Sequence, residues 1–496
     1  MSTSIATAGS AGAAIASTAN AHRASARVAR RRPLTVALLV ALALPGAMFS
    51  QTVFAQTANE RTDKEQALEA RVVQLEAMVQ QLVAQQQQQQ TAIGEVAAVQ
   101  DQVQAQMPVA VAPPAAPGKA IQSTPITPGA NPGTTFAYGG FIKLDAMVTD
   151  TSDGEIADGS VGRMFYLPAT IPVGGTGEGG SDLDMHAQFS RFWFSADTQL
   201  DSGDKLKAFV EMDFFGGGNN ALGNEVATNT HGVTLRHAYV SWNEWLAGQT
   251  WSNFQDPAAL PDAVDFVGPT EGTIFVRQAQ LRYTKGPWSF SAENPETTIT
   301  PYLNAGARIA SDDNAVPDLT ARWIHKGPWG HFTVAGLLRQ FADQNAASRI
   351  DESATGGALS VSGKFNLGSH DDLRYMVSGG SGIGRYLGFG LGSDTLTNAD
   401  GSLEPLDGVG GFVAWRHAFS PKLRGNLMLS AAQYDNDAAI SGLGVTESAQ
   451  SWHANLIYSP LPKLDIGAEL GWGQRSLESG ADGDLHRLHT TVKYSF

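Results

Sequence analysis

The sequence predicts an all-β fold: a 16-stranded antiparallel transmembrane β-barrel preceded by an N-terminal periplasmic coiled-coil helix. Three observations predict it. The chain ends on an alternating strand that closes on an aromatic residue. From residue 136 onward, short turns alternate with long loops. Charged side chains recur on one face of strands whose other face is apolar.

Counting back in twos from the end gives Phe496, Tyr494, Val492, Thr490 and Leu488, with Lys493, His489 and Arg487 among the residues between them. That period of two is a strand with one apolar and one basic face. A barrel removes the exposed edge that such a final strand leaves in an open sheet. The terminal Phe also resembles the end signal that barrel-assembly machinery reads.

Composition narrows the options. The 496 residues contain no Cys, 16% charged and 42% hydrophobic residues, and 54 Gly. No apolar run after the N-terminal region reaches the roughly 20 residues of a membrane helix, so any spanning is by strands. The first 55 residues carry five Arg and no acid, so the net charge of −15 falls to −20 without them. An acidic chain argues against nucleic acid as a partner.

Residues 1–55 read as a signal peptide. Arg27 and Arg30 to Arg32 flank an apolar run from Leu34 to Leu44, and Val53-Phe54-Ala55 fits a small-residue cleavage site. Residues 56–106 read as a coiled coil for oligomerisation. Leu68, Leu75 and Leu82 share one heptad register; Val72, Val79 and Ile93 share another. Gln85 to Gln90 interrupts the seam. So narrow a seam is marginal alone and implies a partner helix, most simply from another copy. Residues 107–135 hold seven Pro and read as an extended linker.

Residues 136–496 read as the outer-membrane barrel. Tight turns fall at 201–204, 244–245, 285–287, 327–330, 369–372, 420–422 and 459–463. Long loops fall between the first two strands and near 216–231, 255–274, 297–316, 342–353, 384–408, 435–447 and 476–484. Seven turns and eight loops make sixteen strands, with both chain ends on the short-turn, periplasmic side. Lys285-Gly286-Pro287-Trp288 recurs as Lys326-Gly327-Pro328-Trp329, each at a tight turn. Pro is tolerated there, and Trp suits an interfacial girdle.

Alternation sorts lipid-facing from lumen-facing residues. Ile142, Leu144, Ala146 and Val148 face lipid, whereas Lys143 and Asp145 face inward. Arg191, Lys207, Glu211, Asp213, Arg282, Arg322, Arg339, Lys364, Arg374, Arg416, Arg424, Arg487 and Lys493 all fall on the less apolar face. A charge facing lipid near the midplane costs about 2–4 kcal/mol, and a dry core could not hold so many. The interior is therefore expected to be a wet channel. The candidate selectivity residues are Arg191, Lys207, Arg277, Arg282, Arg322, Arg339, Arg374, Arg487 and Lys493, with Arg277 and Arg282 first. The third long loop carries Asp256, Asp262, Asp265 and Glu271, and is the candidate constriction. Acids there opposite a basic wall would set a transverse field.

Several stretches resemble the DcaP-type trimeric porins. They include Gly140-Phe141-Ile142-Lys143-Leu144-Asp145-Ala146, Glu211-Met212-Asp213-Phe214-Phe215-Gly216, Arg236-His237-Ala238-Tyr239, Gly248-Gln249-Thr250-Trp251-Ser252-Asn253-Phe254, Val264-Asp265-Phe266-Val267-Gly268-Pro269 and Arg277-Gln278-Ala279-Gln280-Leu281-Arg282-Tyr283. The coiled coil and Pro-rich linker match that layout too. The resemblance implies a homotrimer in outer-membrane lipid and lipopolysaccharide. It also implies passive diffusion of small anionic solutes such as dicarboxylates and aromatic acids.

Two other readings remain open. A phosphate-specific porin wants a continuous Arg ladder, and a sugar-specific one a line of lumen aromatics. A structural envelope tether would carry a largely closed barrel. An enzyme is not expected: there is no His-Glu-x-x-His pair and no Gly-x-Ser-x-Gly elbow. His486 and His489 point to opposite faces and cannot share a metal. No cofactor is expected.

Overall fold

The computed structural model describes residues 133–175, 179–216, 228–304, 307–345 and 350–496. The signal-peptide, coiled-coil and most of the linker assignments lie outside the described residues.

The strands, in chain order, begin with β1 (Thr135–Thr151), β2 (Ser181–His186), β3 (Arg191–Gln199), β4 (Lys205–Asp213), β5 (Thr234–Trp242), β6 (Trp245–Trp251) and β7 (Arg277–Lys285). Next come β8 (Trp288–Glu293), β9 (Thr297–Thr300), β10 (Ile309–Ser311), β11 (Asp318–Gly327), β12 (Gly330–Asn345), β13 (Ile350–Leu367) and β14 (Asp371–Ser381). The last are β15 (Thr395–Thr397), β16 (Leu403–Pro405), β17 (Asp407–Ser420), β18 (Leu423–Asp435), β19 (Thr446–Leu461), β20 (Leu464–Leu477) and β21 (Asp482–Ser495).

Seventeen of these form one sheet. β2 and β3 both pair with the same side of β1, at Ala146↔Met185 and Tyr138↔Phe194, so they are two halves of one broken crossing. The sheet therefore makes sixteen antiparallel crossings. β1 meets β21 in register from Phe141↔Ser495 to Thr151↔Leu485, which closes the barrel without an edge. The Phe496 N–H donates to the Gly140 carbonyl at 3.1 Å.

The faces follow the sequence. Ile142, Leu144 and Val148 are exposed, while Lys143, Asp145 and Met147 are buried. The same alternation exposes Leu338, Leu359, Val377, Leu456 and Leu488 around the barrel. So many large apolar side chains outside is the lipid band of a spanning barrel. The two Lys-Gly-Pro-Trp repeats sit at the β7–β8 and β11–β12 turns, with both Trp exposed.

Two expectations about connections need correction. The loop expected near 342–353 is shorter, because β12 and β13 stay paired out to Asn345↔Ile350. The loop near 476–484 is likewise taken up largely by β20 and β21. The long loops at 294–317 and 382–406 are not structureless. β9 and β10 from the first and β15 and β16 from the second form a four-stranded sheet, with β15 parallel to β9.

The largest difference lies in the lumen. Part of it is dry. Phe254, Ile274, Ile383, Tyr386, Leu387, Leu391 and Leu396 come from the inward-folded loops 252–276 and 382–406. They pack on inward wall residues Ala335, Leu337, Met376, Phe412, Met428 and Tyr434. A second cluster joins Phe165 and Leu167 of the first loop to Phe189 and Val267, with Phe215, Phe266, Phe275 and Phe389 against it. The ring of Phe266 stacks on that of Phe189 at 4.4 Å. A uniformly wet interior is therefore wrong. Alternation marks which side chains point inward but not which of them loops later cover.

Candidate functional site

The loop between β6 and β7 runs as a belt around the inside of the wall, meeting the strands in their order round the barrel. Its backbone cannot form a ladder there, and Pro257 and Pro261 supply no N–H. Its buried carbonyls still need donors. Inward wall side chains provide donors, and loop side chains reach back to the wall. The Asn253 side-chain amide donates to Ser289 O of β8 at 3.1 Å. Arg322 of β11 donates to Gln255 O at 3.0 Å. His331 Nε2 of β12 lies 2.9 Å from Asp256 Oδ2, to which Ser362 of β13 donates at 3.0 Å. Arg374 of β14 donates to Leu260 O. Asn426 of β18 and Asn455 of β19 donate to Asp262 O at 2.9 and 3.0 Å. Val264 N–H donates to Glu469 of β20 at 2.8 Å, and Lys143 of β1 donates to Val264 O at 2.9 Å. Arg282 of β7 holds the belt's start through Trp251 O.

This changes the role expected for the loop acids. Asp256, Asp265 and Glu271 are buried, turned towards wall or loop rather than presented as a free row. Asp262 is part-exposed, but Arg424 Nε donates to it at 2.6 Å and Arg416 lies 3.6 Å away. Asp265 accepts from the N–H groups of Tyr166, Val267 and Gly268. Burial pushes the Asp265 carboxyl up, but the His489 ring 3.6 Å away and the nearby His453 and Arg487 charges leave it below the usual carboxylate range. Glu271 is completely buried, and burial raises its carboxyl. The expected acidic row facing a basic wall is replaced by a latch.

The expected selectivity residues fall into three groups, with Arg277 apart from all of them. Arg282, Arg322, Arg374 and Lys493 are part-exposed and line one arc near the short-turn ends, together with Lys364, Arg416 and Arg424. The carboxylates within 4.0 Å of the arc's cations are Asp262, Asp372 and Asp465, and buried Asp256 and Glu293 act on Arg322 and Arg282 from further off. An Arg that gives one N–H to a carbonyl keeps its charge and its other donors. Arg191 and Lys207 lie across the lumen in balanced pairs. Arg191 is 3.6 Å from Glu211 and 3.8 Å from Asp213; Lys207 is 2.9 Å from Asp197.

Arg339 and Arg487 are not solute-facing, which corrects their assignment. Arg339 has no exposed side-chain area; it bridges Asp318 at 3.1 Å and Asp394 at 2.6 Å and donates to Gly382 O. Arg487 is buried and donates to Gly162 O and Thr149. Both anchor inward-folded loops. Arg277 is not on the mid-lumen wall either. It opens β7 at the long-loop end, over the Trp251 ring at 4.9 Å.

Other residues escaped the sequence reading. Arg236 is almost fully buried, pairing with Glu211 at 2.9 Å and Asp213 at 2.6 Å. A register shift opposite Glu211/Met212 breaks the alternation that would have marked it. Trp193, Phe209 and Tyr239 form an inward stack across β3, β4 and β5, with centroids 5.9 and 5.3 Å apart. Their positions lie in the inward set, so counting aromatics with the charges would have found them. Arg308 and Arg385 sit in loops, where no periodicity points to them.

A closed sixteen-stranded barrel with a lipid-facing apolar band and a loop latched across its lumen is a membrane channel of the porin class. A family model for DcaP outer membrane protein matches residues 128–496, and the chain belongs to that family. The outer membrane channel DcaP of Acinetobacter baumannii matches at 25% identity and a TM-score of 0.60, over 74% of this chain and 99% of that one. Salmonella typhi OmpF, solved with daunomycin, matches at 13% identity and TM-score 0.45, over 73% and 98%. An anion-selective porin from Comamonas acidovorans matches at 9% and 0.46, over 73% and 100%. No curated protein sequence matches. The relatives are channels, and the chain is not an enzyme.

Proposed function

We propose that the protein is a passive outer-membrane diffusion porin for small hydrophilic solutes, preferring anionic carboxylates. One observation carries the preference: among the described residues, the seven cations Arg282, Arg322, Lys364, Arg374, Arg416, Arg424 and Lys493 face five carboxylates, with Asp262, Asp372 and Asp465 paired to the arc and buried Asp256 and Glu293 acting on Arg322 and Arg282 from further off. The opposite wall is neutral by pairing. Fixed excess positive charge beside a narrow path raises the local anion concentration. The Trp193–Phe209–Tyr239 stack on that opposite wall gives a flat solute an apolar face to slide along. It supplies the aromatic line a sugar porin would want, but set opposite guanidinium groups it suits aromatic acids better.

The wider reading keeps the rest of the layout. Residues 1–55 would be removed on export, and residues 56–106 would join three copies in the periplasm. The trimer would sit in outer-membrane phospholipid and lipopolysaccharide. The heptad seam and the family resemblance support this.

The test is planar-bilayer conductance of the mature protein with reversal potential in a salt gradient. Three-step closure with anion preference is expected. Cation preference would overturn the arc argument. A folded barrel without conductance, its loops closing the lumen, would favour the envelope-tether reading.

A further inference from the structure

At the long-loop end, above the belt, lies a second basic site. A cavity of about 430 Å³ opens where β5, β6 and β7 meet the loops 294–317 and 382–406. Pockets of this size suit a small ligand. Its walls combine Arg277, Arg308 and Arg385 with the rings of Trp251, Phe275 and Phe389. Phe275 contacts Trp251 at 4.8 Å and Phe389 at 5.4 Å.

The charges do not balance. Arg385 lies 3.6 Å from Asp318 and donates to Asn294 O and Gln278. Among the described residues, neither Arg277 nor Arg308 has a carboxylate within 4.0 Å. Among the described residues, Glu296 is the one carboxylate lining the cavity. Two unpaired guanidinium groups against one acid leave a single positive charge. The backbone is bent to make this arrangement. Gly388, Phe389 and Gly390 are all left-handed, at φ of 68°, 57° and 81°. Phe389 in that region is costly and needs surrounding support. A Cβ at Gly390 would come 2.8 Å from the Arg308 guanidinium and displace it, and the φ of 81° there favours glycine in its own right.

We propose that this cavity is a capture site for a flat aromatic monocarboxylate, occupied before the solute meets the constriction. Arg277 and Arg308 bind the carboxylate, while Trp251, Phe275 and Phe389 take the ring. The single excess charge favours one carboxylate over two, and the aromatic walls favour a ring over an aliphatic chain. The site rests on the anion-channel reading only for the arrival of anions at the outer mouth.

Isothermal titration of the detergent-solubilised protein, which needs no conduction, tests it with three probes. Benzoate should bind saturably, and more tightly than cyclohexanecarboxylate or butanedioate. R277Q and R308Q should each weaken benzoate about tenfold, the loss of one charge-assisted hydrogen bond. Retained heat-modifiable gel mobility shows that each variant is folded; a variant that fails this check is replaced by the Lys substitution, which should keep part of the affinity. The proposal is overturned by no saturable benzoate binding, by unchanged affinity in both variants, or by equal affinity for all three probes. It is also overturned if R308Q dissociates the oligomer and leaves benzoate affinity intact. The guanidinium would then serve a carboxylate from another copy. A channel that binds benzoate but passes no current would contradict the diffusion reading and leave the capture site standing.

Discussion

The arginines of the lumen divide by depth of burial, and the two sets do different work. Arg339, Arg487 and Arg236 are buried and close to carboxylates or carbonyls that accept from them. Arg282, Arg322, Arg374, Arg416 and Arg424 stay part-exposed near the short-turn ends. The first set fixes loops and wall in place. The second also touches the belt, but through one or two of its N–H groups, and still presents charge to water. The same residue type on the same face thus serves structure or permeation according to what a loop lays over it.

The largest expected effect comes from breaking the buried set. R339A leaves Asp318 and Asp394 buried with their main counter-charge gone, which costs about 3–5 kcal/mol. Heat-modifiability on gels should show unfolding at a clearly lower temperature, with the selectivity of any surviving channel unaltered. Shifted selectivity with undiminished stability would place Arg339 in the permeation set.

Next in size is the belt. D256N removes the charge facing His331 but keeps the shape of the side chain. Open-channel current noise should rise, and stability should fall by about 1–2 kcal/mol, the order of a charged hydrogen bond. Unchanged noise would mean that the carbonyl contacts alone hold the belt.

A smaller effect separates the two ends of β7. R282Q should move the reversal potential towards cations, whereas R277Q should leave it nearly in place. Equal shifts would return Arg277 to the constriction, where the sequence reading put it.

The smallest concerns Glu271. Burial raises its carboxyl in the folded chain relative to the unfolded one. Folding therefore carries a cost that is absent below the ordinary carboxylate range and grows as pH rises through the raised value. E271Q removes that cost. It should raise the unfolding temperature at neutral and alkaline pH and have its smallest effect at pH about 3, below the ordinary Glu value. Destabilisation at neutral pH would mean the carboxylate is held charged.

Much of the fold was legible because strand alternation is local. Ile142, Leu144 and Val148 face lipid because successive side chains must point to opposite sides, and no tertiary contact overrides that. The tight turns were legible from Gly286-Pro287 and Pro328-Trp329, whose chemistry is also local. The site was only partly legible. Lys143, Arg322 and Arg374 were placed inward correctly, but their acceptors are carbonyls of a loop that lies more than fifty residues away in sequence. Nothing in a residue's neighbours announces that Arg339 ends up under loop 382–406, or that Arg308 ends up over Gly390. Arg236 was hidden by a register shift that local pattern does not reveal.

The central claim is that the part-exposed arc, not the buried arginines, sets ion preference. The most direct measurement is the reversal potential of R322Q/R374Q beside wild type in the same salt gradient, with unfolding temperatures taken in parallel. The account predicts anion preference in wild type and a clear shift towards cations in the double variant, with the barrel intact. An unchanged reversal potential in a folded double variant would contradict it.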